Sequence, residues 1–399
     1  MDTKKLILAI VLSVTVLLVY QYLFMPKPAA PERLSQPAAA QPQRTAETTE
    51  SKGGAAPDIA SIMDQSAPEA AVVQPGQPLL AVSESLAAAA EQAVCVENEY
   101  FSAVFTNRGA GLTSFVLKKY KDDAGKPMDL VAGGAKESNF YPFYFYSGKD
   151  DFSAILNKAL FLYRGTPRVI VAGPTQVVFE YADADRNLKA IKRFTFRPGS
   201  YGIGLEFAVW KDGRLLADLP VAFGPNLGNN EGQDRAMMMS LKIAAYANEK
   251  LESVDFARLK TAPQAGQAFE TAYGEKGAGF YWAAYETTYF AAVFRSQPQN
   301  RSKLSYRLIK QPQAKNQSKL YSYMIVTDPT AVFLGPKDEK VLAAMEAEFP
   351  DLNKVIEYGW FGSIAKIMLK GITYIHGFIP NYGWALIVFT LLLKLVLFP

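Results

Sequence analysis

Hydrophobic and polar positions divide the chain into stretches of different texture. Leu6 to Met25, LILAIVLSVTVLLVYQYLFM, is uncharged and mostly apolar. About twenty such residues are what a helix needs to cross the hydrocarbon of a bilayer, so the pattern predicts a transmembrane anchor over residues 1–25. The run ends in aromatics and YLFMPKP, not in a small-residue cleavage site, which predicts an uncleaved anchor. Residues 26–94 are rich in Pro, Ala, Gln, Ser and Thr and nearly free of aromatics, and read as a flexible linker in which SLAAAAEQA forms a short helix.

From residue 95 to 332 the texture changes to short runs such as YFSAVFT, GLTSFVLKKY, QVVFEYA, YGIGLEFAVW and KLYSYMIV, separated by Gly, Pro, Asn and Asp. Several alternate: in KAIKRFTF, Ala190, Lys192, Phe194 and Phe196 oppose Ile191, Arg193 and Thr195. With no helix-length pattern between them, these runs predict a large all-β domain, an antiparallel β-sandwich. The pattern then turns helical. Residues 333–350 read as a surface helix with Pro336 near its first turn and acids early. Residues 354–377 place Trp360, Phe361, Ile364, Ile367, Met368, Ile372 and Ile375 on one arc of a helical wheel, with Lys366 and Lys370 opposite. That arrangement predicts an amphipathic helix lying in a membrane interface, with its lysines among anionic head groups; the alternative is a helix packed on the sandwich.

Residues 378–399 form a second apolar stretch, with Tyr382 and Trp384 placed as an aromatic belt and only Thr390 and Lys394 polar beyond Trp384. A lysine costs about 2.5–3.5 kcal/mol at the centre of a spanning helix and less near an end. Two readings of Lys394 stay open: it reaches past the helix end to the head groups, or it faces a wet pocket shared with other spans, with Thr390 one turn earlier on the same face. Lysines and arginines flank the N-terminal span on both sides, so charge alone does not orient it. An even number of crossings puts both chain ends on one side and the sandwich on the other. For a bacterial chain this means cytoplasmic ends and a periplasmic sandwich.

Composition narrows the chemistry. The 399 residues are 49% hydrophobic and 20% charged, with a net charge of +4, too mild to mark a nucleic-acid binder. The single cysteine, Cys95, permits no internal disulfide or Cys-rich metal site, and the single histidine, His376, lies outside the sandwich. A sandwich enzyme that uses a histidine acid or base is therefore excluded. Glu231, Asp234 and Arg235 cluster in the loop GPNLGNNEGQDRAMMM and read as solvated loop charge, and Met237 to Met239 as core filling. No phosphate cradle or nucleophile elbow is present, and the triplets at Asn300 and Asn316 are chance glycosylation matches. The chain reads as a non-enzyme without cofactor or metal.

LGPKDEKVLAAM, EYGWFG and IHGFIPNYGWALIVFTLLLKLVLFP resemble the YidC membrane protein insertase family, as do GAGLTSFVLKKY, WAAYETTYFAAVF and the order of anchor, linker, β-domain, interfacial helix and span. The resemblance implies a multi-pass protein of the bacterial inner membrane, with a periplasmic β-supersandwich. It implies an insertase and chaperone that integrates nascent inner-membrane proteins, alone or with the Sec translocon and its accessory subunits. In that family a positive residue on this span, usually arginine, lines a hydrophilic groove open to the cytoplasm and to lipid; Lys394 and Thr390 take those positions here. The family continues with a basic cytoplasmic hairpin, through which it meets the ribosome, and with further spans. The chain is thus expected to be a truncated product whose membrane-interface residues are Trp360, Phe361, Lys366, Lys370 and Trp384. The other reading is a membrane-anchored periplasmic β-sandwich that binds sugars or envelope proteins and uses its spans only as anchors.

Overall fold

A computed structural model describes residues 82–122, 124–131, 133–146, 151–228, 241–247, 249–255, 268–273, 280–296, 303–312, 318–356 and 362–397. The predicted anchor over 1–25, most of the linker, the loop bearing Glu231, Asp234, Arg235 and Met237 to Met239, and the triplets at Asn300 and Asn316 lie outside these residues.

Among the described residues eighteen strands form three sheets. The first has the order β4 (Pro127–Asp129), β3 (Gly111–Lys121), β2 (Phe101–Thr106), β1 (Ala93–Glu97) and β5 (Arg168–Ile170). The second and largest runs β12 (Lys250–Asp255), β11 (Lys242–Ala247), β14 (Trp282–Glu286), β15 (Phe290–Arg295), β18 (Ala331–Pro336), β8 (Gly202–Lys211), β7 (Leu188–Phe196) and β6 (Thr175–Asp183), with β9 (Arg214–Leu215) beside β8. The third is β10 (Pro220–Phe223), β17 (Ser318–Thr327), β16 (Leu304–Pro312) and β13 (Ala268–Tyr273). Pairing is antiparallel throughout except between β1 and β5, which run parallel.

Alternation explains how these strands bury one face. Along β7 every second residue from Leu188 to Phe196 is buried, and Phe194 and Phe196 enter a cluster of rings with Phe105, Phe143 and Phe179. Lys192 shares that face. Its ammonium is fully buried, donates to the carbonyls of Gly109 (2.7 Å) and Phe143 (2.6 Å), and lies 4.2 Å from the centroid of the Phe145 ring. Gly109 and Phe143 both adopt left-handed backbone, and a Cβ at Gly109 would meet the Asn157 carbonyl at 2.7 Å.

Four details differ from the sequence reading. Two helices interrupt the strands, α1 (Gly134–Ser138) and α2 (Asp151–Lys158), because their apolar residues pack under the sheets without a long amphipathic pattern. SLAAAAEQA is extended rather than helical: Leu86 exchanges backbone hydrogen bonds with Ala182, and the Ala88 amide bonds the Leu160 carbonyl, so sheet pairing replaces local helix bonds. The strands begin at Ala93, with Cys95 opposite Val104, and residues 82–92 already lie on the sandwich. Lastly, Pro336 closes β18 rather than opening a helix, and α3 (Glu339–Ala344) starts after it.

The side chain of Asp338 caps α3 by accepting from the amides of Lys340 and Val341. Asp338→Ala is expected to cost about 1 kcal/mol, seen as a lower denaturant midpoint with an unchanged slope. Beyond α3 the chain forms a strap with a 3-10 turn (Leu352–Val355). Leu342, Met345, Phe349, Leu352 and Val355 are buried in the sandwich core, so this is no mere surface helix. Trp282 Nε1 donates to the Pro350 carbonyl at 2.8 Å, and Arg295 donates to the Glu348 carbonyl at 3.0 Å. The Tyr246 hydroxyl bonds Asp351, and Lys354 lies 3.1 Å from the same carboxylate. These partners hold the Asp351 carboxyl below the usual carboxylate range, the tyrosine hydrogen bond being the larger cause.

Candidate functional site

The strap leads into two helices, α4 (Gly362–His376) and α5 (Tyr382–Leu397). Asn381 opens α5: its side-chain oxygen accepts from the Gly383 amide at 2.8 Å, and its carbonyl accepts from Ala385 at 3.0 Å. The helix contains no acidic residue, and Lys394 falls in its last turn, where a cation meets the negative end of the helix dipole.

Two contacts between the helices stand out among the described residues. The rings of His376 and Tyr382 stack across the corner with centroids 3.8 Å apart. Further along, the Phe389 ring fills the space beside Gly371: a Cβ there would sit 2.4 Å from Phe389 Cε2. Ala385, one turn before Phe389, is fully buried. Ala385 and Phe389 therefore mark the face of α5 turned to α4. At 100° per residue, Lys394 lies about 140–180° around the helix from them and Thr390 about 100–140°.

Lys394 and Thr390 are both exposed, on a side of α5 that also bears the exposed Leu386, Ile387 and Leu391. The Thr390 hydroxyl donates back to the Leu386 carbonyl at 2.7 Å, which leaves its oxygen free to accept. Lys394 has no carboxylate partner among the described residues. The arrangement is one fixed positive charge on the free side of an otherwise apolar helix. It can attract an anionic or strongly dipolar group.

The remaining expected site residues are distributed as follows. Trp384 is 61% exposed and Lys370 is exposed. Trp360, Phe361 and the side chain of Lys366 lie outside the described residues. On the apolar arc of α4, Ile364, Ile367 and Met368 are exposed, Ile367 at 70%, and so do not pack on the sandwich. Among the described residues no helix is long and apolar enough to cross a membrane. The sixteen residues of α5 rise about 24 Å, against about 30 Å of hydrocarbon. Sequence reasoning overlooked Gly371 and Phe389, although a glycine inside a helical pattern is a signal of close approach.

The comparisons with known proteins bear on the family. The YidC periplasmic domain family matches residues 93–370, which takes in the three sheets, the strap and part of α4. A membrane protein insertase YidC of Syntrophus aciditrophicus is 26% identical over 424 residues, covering 99% of this chain and 70% of that protein. A second, from Citrifermentans bemidjiense, is 28% identical over 412 residues, covering 99% and 69%. The chain thus spans about 70% of the length of these relatives. A crystal structure of an active YidC insertase, with its first transmembrane domain resolved, covers 80% of this chain and 58% of its own at 14% identity, with a TM-score of 0.24. A family match over more than half the chain, joined to relatives aligned along nearly all of it, shows that the chain belongs to the YidC family of membrane protein insertases.

Proposed function

We propose that α5 crosses the bacterial inner membrane and presents Lys394 and Thr390 to a hydrophilic groove. There the ammonium attracts the polar, often acidic, segment of a nascent inner-membrane protein. The groove lowers the cost of moving that segment across the bilayer, while the apolar part of the substrate leaves sideways into lipid. No covalent step is involved. The sandwich lies in the periplasm, and α4 rests in the interface with Lys366 and Lys370 among head groups and Trp360, Phe361 and Trp384 at the boundary. The Sec translocon with its accessory subunits, and the ribosome, are the expected partners.

The observation that carries this reading is the single exposed ammonium on the side of α5 opposite the α4 contact. The bare Ile364, Ile367 and Met368 support the interfacial position of α4. A pair of unit charges 4 Å apart gains about 1 kcal/mol in water and about 4 kcal/mol near a protein surface. In the full-length protein, Lys394→Ala is therefore expected to slow insertion of acidic-tailed substrates on the order of tenfold, equivalent to about 1.4 kcal/mol. Lys394→Arg should retain most of the activity. Undiminished insertion by Lys394→Ala would remove the role. Deleting residues 95–332 should leave substantial insertion, whereas a membrane-anchored binding domain would lose its function entirely.

A further inference from the structure

The face of α5 that meets α4 is set by one contact of unusual closeness. At Gly371 any side chain would collide with the Phe389 ring, with atoms at 2.4, 3.1 and 3.2 Å from an added Cβ. Contacts under 3.0 Å are essentially never seen for real Cβ atoms, so the ring occupies a notch that exists only because residue 371 is glycine. Glycine in a helix interior costs about 1 kcal/mol relative to alanine, so its presence here calls for a packing reason. Gly371 also falls within the apolar arc of α4, between Ile367 and Met368 on one side and Ile375 on the other.

A ring seated in a notch on a neighbouring helix resists rotation of its own helix, because turning α5 would drive Phe389 into the backbone of α4. The His376–Tyr382 stack holds the corner, and Phe389, seven residues further along α5, adds a second and closer contact. Lys394 is five residues beyond Phe389 and faces the other way.

We propose that Phe389 in the Gly371 notch is the rotational pin of α5, a positioning device that determines which way Lys394 points. Gly371 and Phe389 touch no substrate and act through Lys394. The functional consequence rests on the reading that Lys394 faces a hydrophilic groove, but the pin itself is a statement about helix orientation.

The test places a nitroxide at Lys394→Cys in the full-length protein in lipid vesicles, with Cys95→Ser. It reads the ratio of accessibility to a water-soluble nickel complex over accessibility to oxygen. That ratio reports the surroundings of position 394 whether they are water, lipid or protein. Gly371→Leu, which raises helix propensity and so keeps α4 formed, should change the ratio at least threefold. Adding Phe389→Ala moves the knob from α5 to α4 and should restore the ratio to within a factor of 1.5. An unchanged ratio in Gly371→Leu, or a double variant that stays as displaced as the single one, overturns the pin. Insertion assays separate this from the groove reading. If Lys394→Ala is silent while the ratio follows Gly371, the groove fails and the pin stands; if Lys394→Ala is defective while the ratio ignores Gly371, the pin fails and the groove stands.

Discussion

Lys192→Ala is expected to lower the stability of the sandwich by about 3–5 kcal/mol, read as a drop in denaturant midpoint at constant slope. The substitution deletes a buried side-chain stem and leaves the carbonyls of Gly109 and Phe143 without the donor that now serves both. An orphaned buried acceptor costs about 1–3 kcal/mol, and the missing methylenes leave a cavity among Phe145, Phe161 and Phe207. Relief from desolvating an ammonium offsets part of this loss. That burial also pushes the pKa of Lys192 well below the usual lysine range. The folded chain therefore binds fewer protons at this site than the unfolded chain, from that lowered pKa up to the ordinary value near about 10.4. Stability contributed by this group rises with pH across the window and is smallest below it. Unfolding curves at successive pH values should show the rise in the parent and its loss in Lys192→Ala; parallel pH profiles would mean that the lysine is not desolvated.

Trp282→Ala is expected to cost a similar amount, about 3–5 kcal/mol, for a different reason. The indole is fully buried, stacks on Tyr246 with centroids 5.4 Å apart, and donates to the Pro350 carbonyl. Its loss removes one of the hydrogen bonds that hold the strap from α3 to the 3-10 turn. Limited proteolysis should then cut between residues 345 and 356 before the strands open, since the strap loses one of its anchors while the ladders stay intact. Trp282→Phe keeps a six-membered ring but loses the fused pyrrole with its hydrogen bond, and should cost less, about 1–3 kcal/mol. If Trp282→Ala unfolds the whole sandwich in one transition with no early cleavage, the strap and the sheets form a single cooperative unit.

Much of the architecture is legible in the residues, and the exceptions have physical causes. KAIKRFTF alternates, and that pattern puts Lys192 on the same face as Phe194. Its acceptors could not be read, because Gly109 and Phe143 are 83 and 49 residues away and are brought to it only by the packed sheets. SLAAAAEQA has helical propensity, yet Leu86 and Ala88 gain more from backbone pairing with Ala182 and Leu160, a tertiary effect that overrides a weak local preference. The lone lysine in WALIVFTLLLKLVLFP is conspicuous by composition, so Lys394 and Thr390 could be singled out. Gly371 and Phe389 belong to two different helices, and nothing in either segment alone says that one is the socket of the other.

The pairing of Leu86 with Ala182 bears on where the sandwich can safely be cut. β6 is an outer strand of the largest sheet, and two short contacts occupy its free side: Leu86 at Ala182 and Leu162 at Glu180. An uncovered strand margin offers a row of unpaired amides and carbonyls to any other chain, which is how sheets recruit copies of themselves into aggregates. Residues 82–92 thus serve as a selvedge on this margin, and the folded unit reaches back at least to Val82, eleven residues before the first strand. A sandwich trimmed to Ala93 would keep every strand and lose part of its protection against sticking to its neighbours.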